Sequence, residues 1–310
     1  MAFADYTELS SITEKRFIPA LVDNIFTSNV LLMRMKKRGA YVTRGSGGTS
    51  VVQPLAYATT SASAWYDGTE TLDVSANDQI GAAEFDWKQI HAAIPITGRD
   101  ESINQGREAI VNFVASKTQL AEMTIVDNVG TGLYNDGTTD SKAIIGLRLA
   151  VDSAGTYGGI NRTTYSWWSA QEDSSTTALS LPLMQGIFGD CSVGNDKPTL
   201  ITCNQDVYDL YWAKLQPQQR WTDKGTADAG FTNLMFNGAP VVVDGKCPSA
   251  HMFFINEKYL KFHVMADKNF KFTGFVRPTN QDVHVAQILW MGALSCSNCR
   301  MQGKLGAIAS

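Results

Sequence analysis

The chain has 310 residues, of which 44% are hydrophobic and 18% are charged, and its formal net charge is −4. An intrinsically disordered chain combines low hydrophobicity with high charge, so this composition excludes disorder, and the length allows one or two domains with a sizeable core. A free monomer usually carries a more highly charged surface. The low charged share therefore favours burial of surface against other copies of the chain.

Neither a membrane-spanning segment nor a signal peptide is expected. No run of about 18 apolar residues exists. Residues 1–10 lack a basic region followed by an apolar one. An odd number of cysteines without a secretory signal is expected to be reduced in a cytoplasm. The cysteines are Cys191, Cys203, Cys247, Cys296 and Cys299.

Charge is unevenly distributed along the chain. Residues 1–50 carry a net charge of +3, residues 51–100 carry −5 and residues 251–310 carry +4. Segments of opposite charge could pair head to tail between copies, although a surface of this size also varies in charge without any function. The densest basic cluster could contact nucleic acid but does not predict a sequence-specific reader. It consists of Arg34, Lys36, Lys37 and Arg38.

Residues 1–49 are predicted to form an N-terminal arm. Apolar residues recur with helical spacing in residues 11–37, where Pro19 interrupts the pattern and Gly39 ends it. The glycine-rich residues 44–49 are expected to form a flexible joint.

Residues 50–98 are predicted to form two antiparallel strands joined by a long polar tip at 59–77. The return strand alternates apolar and polar residues from Phe85 onward. A two-stranded ribbon is only marginally stable alone. Its aromatic tip, with Trp65 and Tyr66 at its middle, therefore requires a surface to rest on, most simply a neighbouring subunit.

The clearest helix is predicted over residues 102–129. Ser102 and Gln105 fit a capping box, and Gly130 and Gly132 end the pattern. A helix of this length measures roughly 40 Å and suits a long spine lying across a sheet. Its apolar face repeats at steps of seven or four residues. The face consists of Ile103, Ile110, Val114, Ala121, Ile125 and Val129.

The second half of the chain alternates between helices and strands. We predict a helix around residues 183–188, a buried strand at 199–203 and a second helix capped by Asn204. Asn237-Gly238 between two apolar runs predicts a β-hairpin. Residues 283–296 are apolar on both faces, as is typical of a central strand.

No arrangement of side chains predicts a catalytic, cofactor or metal site. The four histidines form no His-Glu-x-x-His pair, and the glycine-rich stretches match neither a dinucleotide fingerprint nor a P-loop. Cys296 and Cys299 form a lone C-x-x-C. A zinc site there would require Cys203 and Cys247 to converge on it, and small buried residues are the preferred interpretation.

The remaining candidates also have ordinary interpretations. Trp167 and Trp168 could stack on a base or a sugar, but packing against a sheet is the more common role of such residues. The acidic residues around Asp73 and Asp78 are expected to be solvated charges on the ribbon. We therefore predict no catalytic residue, no cofactor and no metal.

Three stretches in this order carry a resemblance to a known family. They are residues 158–168 (GGINRTTYSWW), residues 198–204 (PTLITCN) running into the helix around Tyr208, and residues 236–244 (FNGAPVVVD). Together with the basic arm, the ribbon and the long helix, they resemble the major capsid proteins of tailed double-stranded-DNA bacteriophages. The resemblance covers essentially the whole chain.

The resemblance implies an α+β fold, the tailed-phage major capsid fold, with four parts. These are an N-terminal arm (1–49), an extended β-hairpin loop (50–98), a peripheral domain (99–179 and 276–310) containing the spine helix at about 102–129, and an axial domain (180–275).

The resemblance also implies a structural protein rather than an enzyme. Such a protein self-assembles through hexamers and pentamers into an icosahedral shell in the host bacterial cytoplasm and becomes part of the virion. The implied partners are other copies, a scaffolding protein, a portal protein, in some shells decoration proteins, and packaged double-stranded DNA bound without sequence specificity, with no membrane. We expect contacts between subunits at Trp65, Tyr66, Asp67, Phe85, Trp87, Arg34, Lys36, Lys37 and Arg38.

Two features depart from parts of the family. Some members join adjacent subunits by an isopeptide bond from a lysine in the extended loop. Residues 45–87 contain no lysine and Lys88 lies on the return strand, so we expect no such cross-link. Some members carry a helical scaffolding segment before the arm. Because Met1 lies close to the arm, we expect a separate scaffolding protein.

Two alternatives stay open at this point. One is a related virion protein that forms rings rather than closed shells, and the other is a cytoplasmic oligomeric enzyme. Particle size separates them, because an enzyme stops growing at a small closed symmetry.

Overall fold

The computed structural model describes residues 29–45, 47–75, 77–103, 107–215 and 234–309, with side chains from residue 113 onward in the longest helix. Three predictions concern parts outside this description. They are the helical pattern around Pro19, the role of Gln105 in a capping box, and the burial of the Ile110 side chain.

The described part of the chain contains short and long helices connected to many short strands. Its helices are α1 (Val30–Lys37), α2 (Gly98–Ile103), α3 (Arg107–Gly132), α4 (Leu147–Ala150), α5 (Leu181–Asp190) and α6 (Gln205–Leu215). Its strands are β1 (Tyr41–Arg44), β2 (Ser50–Ala56), β3 (Ile80–Asp86), β4 (Lys88–Thr97), β5 (Thr156–Tyr157), β6 (Ile160–Asn161), β7 (Gln171–Asp173), β8 (Leu200–Cys203), β9 (Leu234–Phe236), β10 (Ala239–Val243), β11 (Met252–Ile255), β12 (Leu260–Met265), β13 (Lys271–Phe272), β14 (Val283–Cys296) and β15 (Gly303–Leu305).

A five-stranded sheet is built around β14. This strand pairs antiparallel with β4 over ten residues, and also with β12 and β13, while β1 adds to β12 in parallel. Its second half is almost entirely buried. The prediction of a central strand at residues 283–296 is therefore confirmed. The strand is apolar on both faces, as is typical of a strand whose sheet is covered on both sides.

A six-stranded sheet has the order β7-β15-β11-β8-β10-β9. All four residues of β8 are buried, and Asn204 Oδ1 accepts a hydrogen bond from Val207 N at 3.2 Å as the cap of α6. Between β9 and β10, Asn237 and Gly238 have φ values of 48° and 84°, which a two-residue hairpin turn of the mirror-image type requires. The predicted buried strand, capped helix and hairpin are all confirmed.

The strand pairing crosses the predicted boundary between the peripheral and axial parts. Strands β12 and β13, which we expected in the axial part, pair with β14 in the five-stranded sheet. Strand β15, expected in the peripheral part, lies inside the six-stranded sheet between β7 and β11. Position along the chain did not reveal these pairings, because they join residues far apart in sequence.

The long helix α3 has 26 residues, about 39 Å at 1.5 Å per residue, and ends at Gly132, three residues beyond the predicted end at 129. Its start differs from the prediction. Ser102 lies inside α2, where its Oγ donates to Gly98 O at 2.8 Å, and Thr97 Oγ1 accepts from Asp100 N at 3.1 Å. The assignment of Ser102 as a helix cap is therefore wrong, because the helical turn begins one turn earlier at Thr97.

The buried face of α3 follows the predicted pattern from Val114 onward. Ile125 is completely buried and Val129 is 3% exposed, whereas Ile103 is 67% exposed on the separate helix α2 and does not belong to this face. The confirmed positions are Val114, Ala121, Ile125 and Val129.

Apolar side chains form two clusters. The first joins α1, the base of the ribbon, α3 and the five-stranded sheet, and the second lies between the six-stranded sheet and helices α5 and α6. Both tryptophans of the sequence pair at 167–168 belong to the first cluster, and Trp168 is 1% exposed. Its Nε1 donates to Tyr157 O at 3.0 Å, so packing inside the chain accounts for this residue.

Candidate assembly surface

A two-stranded ribbon projects from the five-stranded sheet. Strands β2 and β3 pair antiparallel over seven residues, from Ser50 opposite Asp86 to Ala56 opposite Ile80. The predicted ribbon is confirmed for these residues. Beyond Trp87 the return strand is different from the prediction, because β4 pairs with β14 in the body and not with the outgoing strand.

The two faces of the ribbon differ. Val51 and Phe85 are at most 2% exposed and face the body of the protein, whereas Val52 is 47% and Ile80 is 75% exposed on the outer side or toward the tip. This alternation follows from the period of two residues along a strand. The inner face holds the ribbon to its own chain, and the outer face and tip are open to another molecule.

Aromatic contacts fix the base of the ribbon. The ring centroids of Phe85 and Tyr157 lie 5.0 Å apart, and those of Tyr57 and Trp167 lie 5.2 Å apart in a stacked arrangement. Glu84 N donates to Gly158 O at 2.9 Å. These contacts set the direction in which the ribbon leaves the body.

The tip of the ribbon, residues 57–79, makes hydrogen bonds mainly within itself. Asp67 accepts from Gly68 N at 3.0 Å and from Glu70 N through its carbonyl, while the Asn77 side chain donates to Thr59 O at 3.2 Å. Beyond Tyr57, which stacks on Trp167 of the body, these bonds join residues of the tip to one another.

Large apolar side chains on the tip face solvent. The Trp65 side chain is fully exposed, and the others are between about half and nine-tenths exposed. Solvent exposure of so many apolar side chains in one segment is typical of a surface that another molecule covers. The exposed apolar side chains of the tip are those of Trp65, Tyr66, Leu72 and Val74.

The tip is strongly acidic. It carries four carboxylates, at Asp67, Glu70, Asp73 and Asp78, and no basic residue. Hydrogen bonds from the hydroxyl and the backbone N–H of Ser75 lower the pKa of Asp73, so this carboxylate is ionised at neutral pH. The tip therefore presents aromatic and negatively charged groups together.

The basic cluster on α1 is divided between two roles. The guanidinium of Arg34 donates to both carboxylate oxygens of Glu257 at 3.2 Å, and Arg38 lies 3.4 Å from the same group. Lys36 and Lys37 are exposed. The arginines are thus used within the chain to fasten α1 to the body.

The predicted contact residues separate into two groups. Trp65, Tyr66 and Asp67 lie on the exposed tip, and Lys36 and Lys37 lie on the exposed side of α1. The other predicted contact residues have partners within the chain: Phe85 is 2% exposed, Trp87 is partly buried against the core, and Arg34 is bound to Glu257, and their contacts with other copies stay a prediction. Arg38, 54% exposed at its side chain, contacts the same glutamate.

Sequence reasoning missed the exposed apolar residues Leu72, Val74 and Ile80. Leu72 and Val74 are isolated in a polar stretch, so no periodicity marks them. A signal was present for Ile80, since the alternation that buries Ala83 and Phe85 in β3 continues back along the strand.

A cavity of about 500 Å³ lies between the C-terminal end of α3, strand β4 and the loop at 135–146. Its walls include Ile90, Val129, Ile144 and Trp290. Basic and acidic groups surround these apolar walls. They are Lys88, Lys142, Arg148, Lys246, Asp136 and Asp140.

The cysteines are buried thiols, and no disulfide joins them. Burial raises the pKa of Cys191 and of Cys203 to about 12, so both are protonated at neutral pH. Burial also raises the pKa of Cys299, but hydrogen bonding with Cys296 and the charge of Arg162 outweigh it and lower that pKa.

Arg162 has a structural role in the first cluster. Its guanidinium, 1% exposed, donates to Leu149 O and Ala150 O at 2.8 Å and approaches Cys299 Sγ at 3.7 Å. Backbone carbonyl oxygens therefore accept the hydrogen bonds of this buried guanidinium. Among the described residues, no group of three or more His, Cys, Asp or Glu side chains could hold a metal ion.

His263 is held in its neutral form by its surroundings. Its ring is 1% exposed, Arg44 Nε donates to its Nδ1 at 3.3 Å, and its Nε2 lies 2.9 Å from Ser295 Oγ. Burial, together with the charges of Arg44 and Lys261, lowers its pKa to about 4. A neutral imidazole that accepts from an arginine and meets a hydroxyl is a packed structural group.

No helix in the described ranges is long and apolar enough to cross a membrane.

No protein-family profile matches the sequence, and no curated protein sequence matches it. Solved structures do match. The capsid asymmetric unit of cyanophage A-1(L) has a TM-score of 0.63 and 18% sequence identity, covering 89% of this chain and 93% of that chain. The capsid of a native GTA particle has a TM-score of 0.62 and 14% identity, covering 88% and 89% of the two chains.

A third match comes from the holo-SrpI encapsulin complex of Synechococcus elongatus PCC 7942, with a TM-score of 0.55 and 6% identity, covering 86% of this chain and 84% of that chain. The predicted α+β fold of the tailed-phage capsid proteins is thereby confirmed.

Proposed function

We propose that this chain is the major capsid protein of a tailed double-stranded-DNA bacteriophage. It assembles through hexamers and pentamers into an icosahedral shell. The capsid fold over about nine-tenths of the chain supports this proposal at the level of architecture. The observation that carries it is the ribbon tip, whose Trp65 is fully exposed to solvent in the part of the chain that the structure describes.

The physical argument starts from the cost of that tip. Exposed apolar side chains on a projecting two-stranded ribbon lower the stability and solubility of a monomer. A shell removes this cost, because every ribbon can rest on a neighbouring subunit. The low charged share of the chain fits the same arrangement, since much of its surface would be buried between subunits.

The proposal includes the partners that a shell requires. They are a separate scaffolding protein, a portal protein and packaged DNA bound without sequence specificity. Lys36 and Lys37, exposed on α1, are positive groups suited to phosphate or to acidic protein surfaces. We also place the protein in the virion and assign it no enzymatic activity.

A cellular protein shell is the second candidate, because the encapsulin structure has the same fold. We rank the phage capsid function first because the cyanophage capsid has the higher TM-score, 0.63 against 0.55, and the higher sequence identity, 18% against 6%. The two candidates differ in contents. Particles isolated from the natural source should protect double-stranded DNA from nuclease if the chain is a phage capsid protein.

The first experiment is expression of the full chain, followed by size-exclusion chromatography and electron microscopy. Closed shells, or hexamers and pentamers, are the expected result. Open rings would favour the ring-forming virion protein. A dimer or tetramer that does not grow at high concentration or with crowding agents would contradict the proposal and favour a small oligomeric enzyme.

A further inference from the structure

We propose that Cys296 and Cys299 form a modification site, at which a small peroxide converts the two thiols into a disulfide. Both residues are completely buried. Cys296 is the last residue of the central strand β14, the chain bends at Ser297, and Cys299 begins the short helical turn Cys299–Met301. The Cys296 thiol donates a hydrogen bond to the Cys299 sulfur, so the turn brings the two sulfur atoms together.

The buried guanidinium of Arg162 distinguishes Cys299 from an ordinary thiol. Arg162 is 1% exposed and donates hydrogen bonds to four backbone carbonyl oxygens. These neutral acceptors do not carry the negative charge that a cation removed from water requires. Cys299 Sγ lies 3.7 Å from Arg162 Nη2 and, among the hydrogen-bond acceptors of this group in the described structure, it is the one that can become an anion. The arrangement favours a thiolate at Cys299.

The two thiols of the pair differ in protonation state. Burial raises the pKa of Cys299, but the hydrogen bond from Cys296 and the charge of Arg162 outweigh burial and lower that pKa. Burial and the same hydrogen bond raise the pKa of Cys296. In thiol oxidation the thiolate attacks the oxidant, and a neighbouring thiol condenses with the product. Cys299 is therefore the nucleophile, and Cys296 is the thiol that completes the disulfide.

The reaction balances with hydrogen peroxide as the oxidant. The Cys299 thiolate attacks one peroxide oxygen, the O–O bond breaks and hydroxide leaves, so that Cys299 becomes a sulfenic acid. The Cys296 thiol then attacks that sulfur. An S–S bond forms, and the sulfenic hydroxyl leaves as water with the Cys296 proton. The two cysteines together lose two electrons, which reduce the peroxide, and the hydroxide takes up a proton from solvent.

The pair lies directly beneath the protein surface. Ser297 and Asn298, the two residues between the cysteines, are partly exposed, and the neighbouring Arg300 is exposed. A local opening of this turn admits a small neutral molecule, whereas oxidised glutathione requires a much wider opening. We therefore expect hydrogen peroxide to oxidise the folded chain and oxidised glutathione to leave the pair reduced.

Cys203 and Cys247 provide a control within the same chain. Burial raises the pKa of Cys203 to about 12, and burial together with the charge of Cys203 raises the pKa of Cys247. Their sulfur atoms lie 4.0 Å from Val242 O and 3.8 Å from His251 O, and these neutral acceptors do not stabilise a thiolate. Both thiols stay protonated at neutral pH and should react slowly with peroxide.

The disulfide would lie where the chain passes from one sheet to the other. Strand β14 belongs to the five-stranded sheet, and strand β15, which follows the two cysteines, belongs to the six-stranded sheet. A bond between Cys296 and Cys299 fixes the turn between them. The time at which it forms rests on the proposed function: the thiols stay reduced during assembly in a cytoplasm and are oxidised after the particle is released.

Differential alkylation of the unassembled full chain tests the chemistry. The chain is purified under reducing conditions, treated with hydrogen peroxide at neutral pH and quenched, then unfolded and alkylated with N-ethylmaleimide. The tryptic peptide 272–300 contains Cys296 and Cys299 but none of the other three cysteines. We expect this peptide to escape alkylation and to lose the mass of two hydrogen atoms. Its oxidation should be at least about ten times faster than that of Cys203 or Cys247.

Serine substitutions separate the roles of the two cysteines. Cys296→Ser should leave a sulfenic acid at Cys299 that dimedone captures, whereas Cys299→Ser should leave Cys296 unreactive. Cys203→Ser is the matched control, and its 272–300 peptide should be oxidised as in the unchanged chain. Equal capture by dimedone in the Cys296→Ser and Cys299→Ser variants would contradict the role of Cys299 as the nucleophile.

The unchanged chain gives the decisive comparison, so a variant that fails to fold does not affect the test. Resistance of the Cys296–Cys299 pair to peroxide, or its oxidation at the same rate as Cys203 and Cys247, would overturn the inference. Either result would leave the proposed function standing, because assembly does not enter this experiment.

Discussion

Phe85 on the ribbon and Tyr157 on the body pack with ring centroids 5.0 Å apart, and each is at most 2% exposed. The contact is possible because the chain after Tyr157 turns through Gly158, whose φ is 59°. A side chain at Gly158 would meet the ribbon itself. The ribbon therefore depends on a glycine 73 residues away from Phe85 in the sequence.

We predict that Gly158→Ala loosens the ribbon base. A Cβ there would lie 2.9 Å from Ala83 Cβ and 3.1 Å from the Phe85 ring, in a backbone conformation that already disfavours alanine by about 1–2 kcal/mol. Crowding adds about 1–3 kcal/mol. Urea unfolding should show a loss of stability equal to the sum of these two costs. Limited proteolysis should cut the ribbon of the variant faster than that of the unchanged protein.

Gly159→Ala is the control for that prediction. Gly159 also has a positive φ, 78°, but a Cβ there meets no atom within 4 Å. The Gly159→Ala variant should lose only the part of the stability that comes from the backbone conformation, about 1–2 kcal/mol. Equal destabilisation by the two substitutions would show that the approach of Gly158 to Phe85 is unimportant.

We predict that Trp65→Ala impairs assembly without affecting the folded subunit. The side chain is fully exposed, so the free energy of unfolding of the unassembled chain should change by less than about 0.5 kcal/mol. The concentration needed for assembly should rise, as measured by light scattering and electron microscopy. Val193→Ala, at an exposed apolar position on the body, is the control and should assemble normally. Normal assembly of Trp65→Ala would refute our account of the tip.

We predict that Glu257→Gln weakens the attachment of helix α1. Glu257 is 3% exposed and its carboxylate contacts Arg34, Arg38 and the Thr199 hydroxyl. A neutral amide cannot balance two guanidinium groups, so we expect a loss of about 1–3 kcal/mol in urea unfolding.

Asp282→Asn is the comparison for Glu257→Gln. Asp282 pairs with Arg277 on the surface, where both side chains are more than half exposed, and such pairs contribute about 0–1 kcal/mol. If the two substitutions had the same small effect, burial of Glu257 would not strengthen its contacts.

We predict that His263 makes the folded chain less stable in mild acid. Its pKa is lowered to about 4, against 6.5 for the unperturbed ring. Between these values the unfolded state binds a proton and the folded state does not, so stability falls as the pH drops from about 6.5 to 4 and levels off below that range. The loss reaches about 3 kcal/mol.

Urea unfolding of the unassembled chain at several pH values measures this dependence. His263→Gln keeps a polar side chain but cannot titrate, so its stability should vary less between pH 6.5 and 4. The same pH dependence in both proteins would assign the effect to other groups.

Local patterns in the sequence were sufficient for several elements. The Asn237-Gly238 turn, the cap at Asn204 and the largely apolar strand β14 depend on neighbouring residues, so the sequence predicted them correctly. The sequence pattern did not separate the short helix α2, for which Thr97 Oγ1 accepts from Asp100 N, from the long helix α3, and Ser102 was therefore assigned as a cap although it lies inside α2.

The assembly surface was predictable from the sequence only in part, because it also depends on contacts between distant segments of the chain. Trp65 and Tyr66 stand out as aromatic residues in a polar stretch, which predicts exposure at a tip. Phe85 carries the same local signal as an exposed ribbon residue, and its burial depends on Tyr157 and Gly158, far away in the sequence. Pairing between distant segments leaves no periodic pattern in either of them.

Only Trp87 separates strand β3 of the ribbon from strand β4 of the body, and β4 pairs with the central strand β14 over ten residues. The contacts of Tyr57 with Trp167 and of Phe85 with Tyr157 attach the base of the ribbon to the same body. In a shell of the proposed kind, a force on the tip would therefore be carried into the main sheet through both the aromatic base and strand β4.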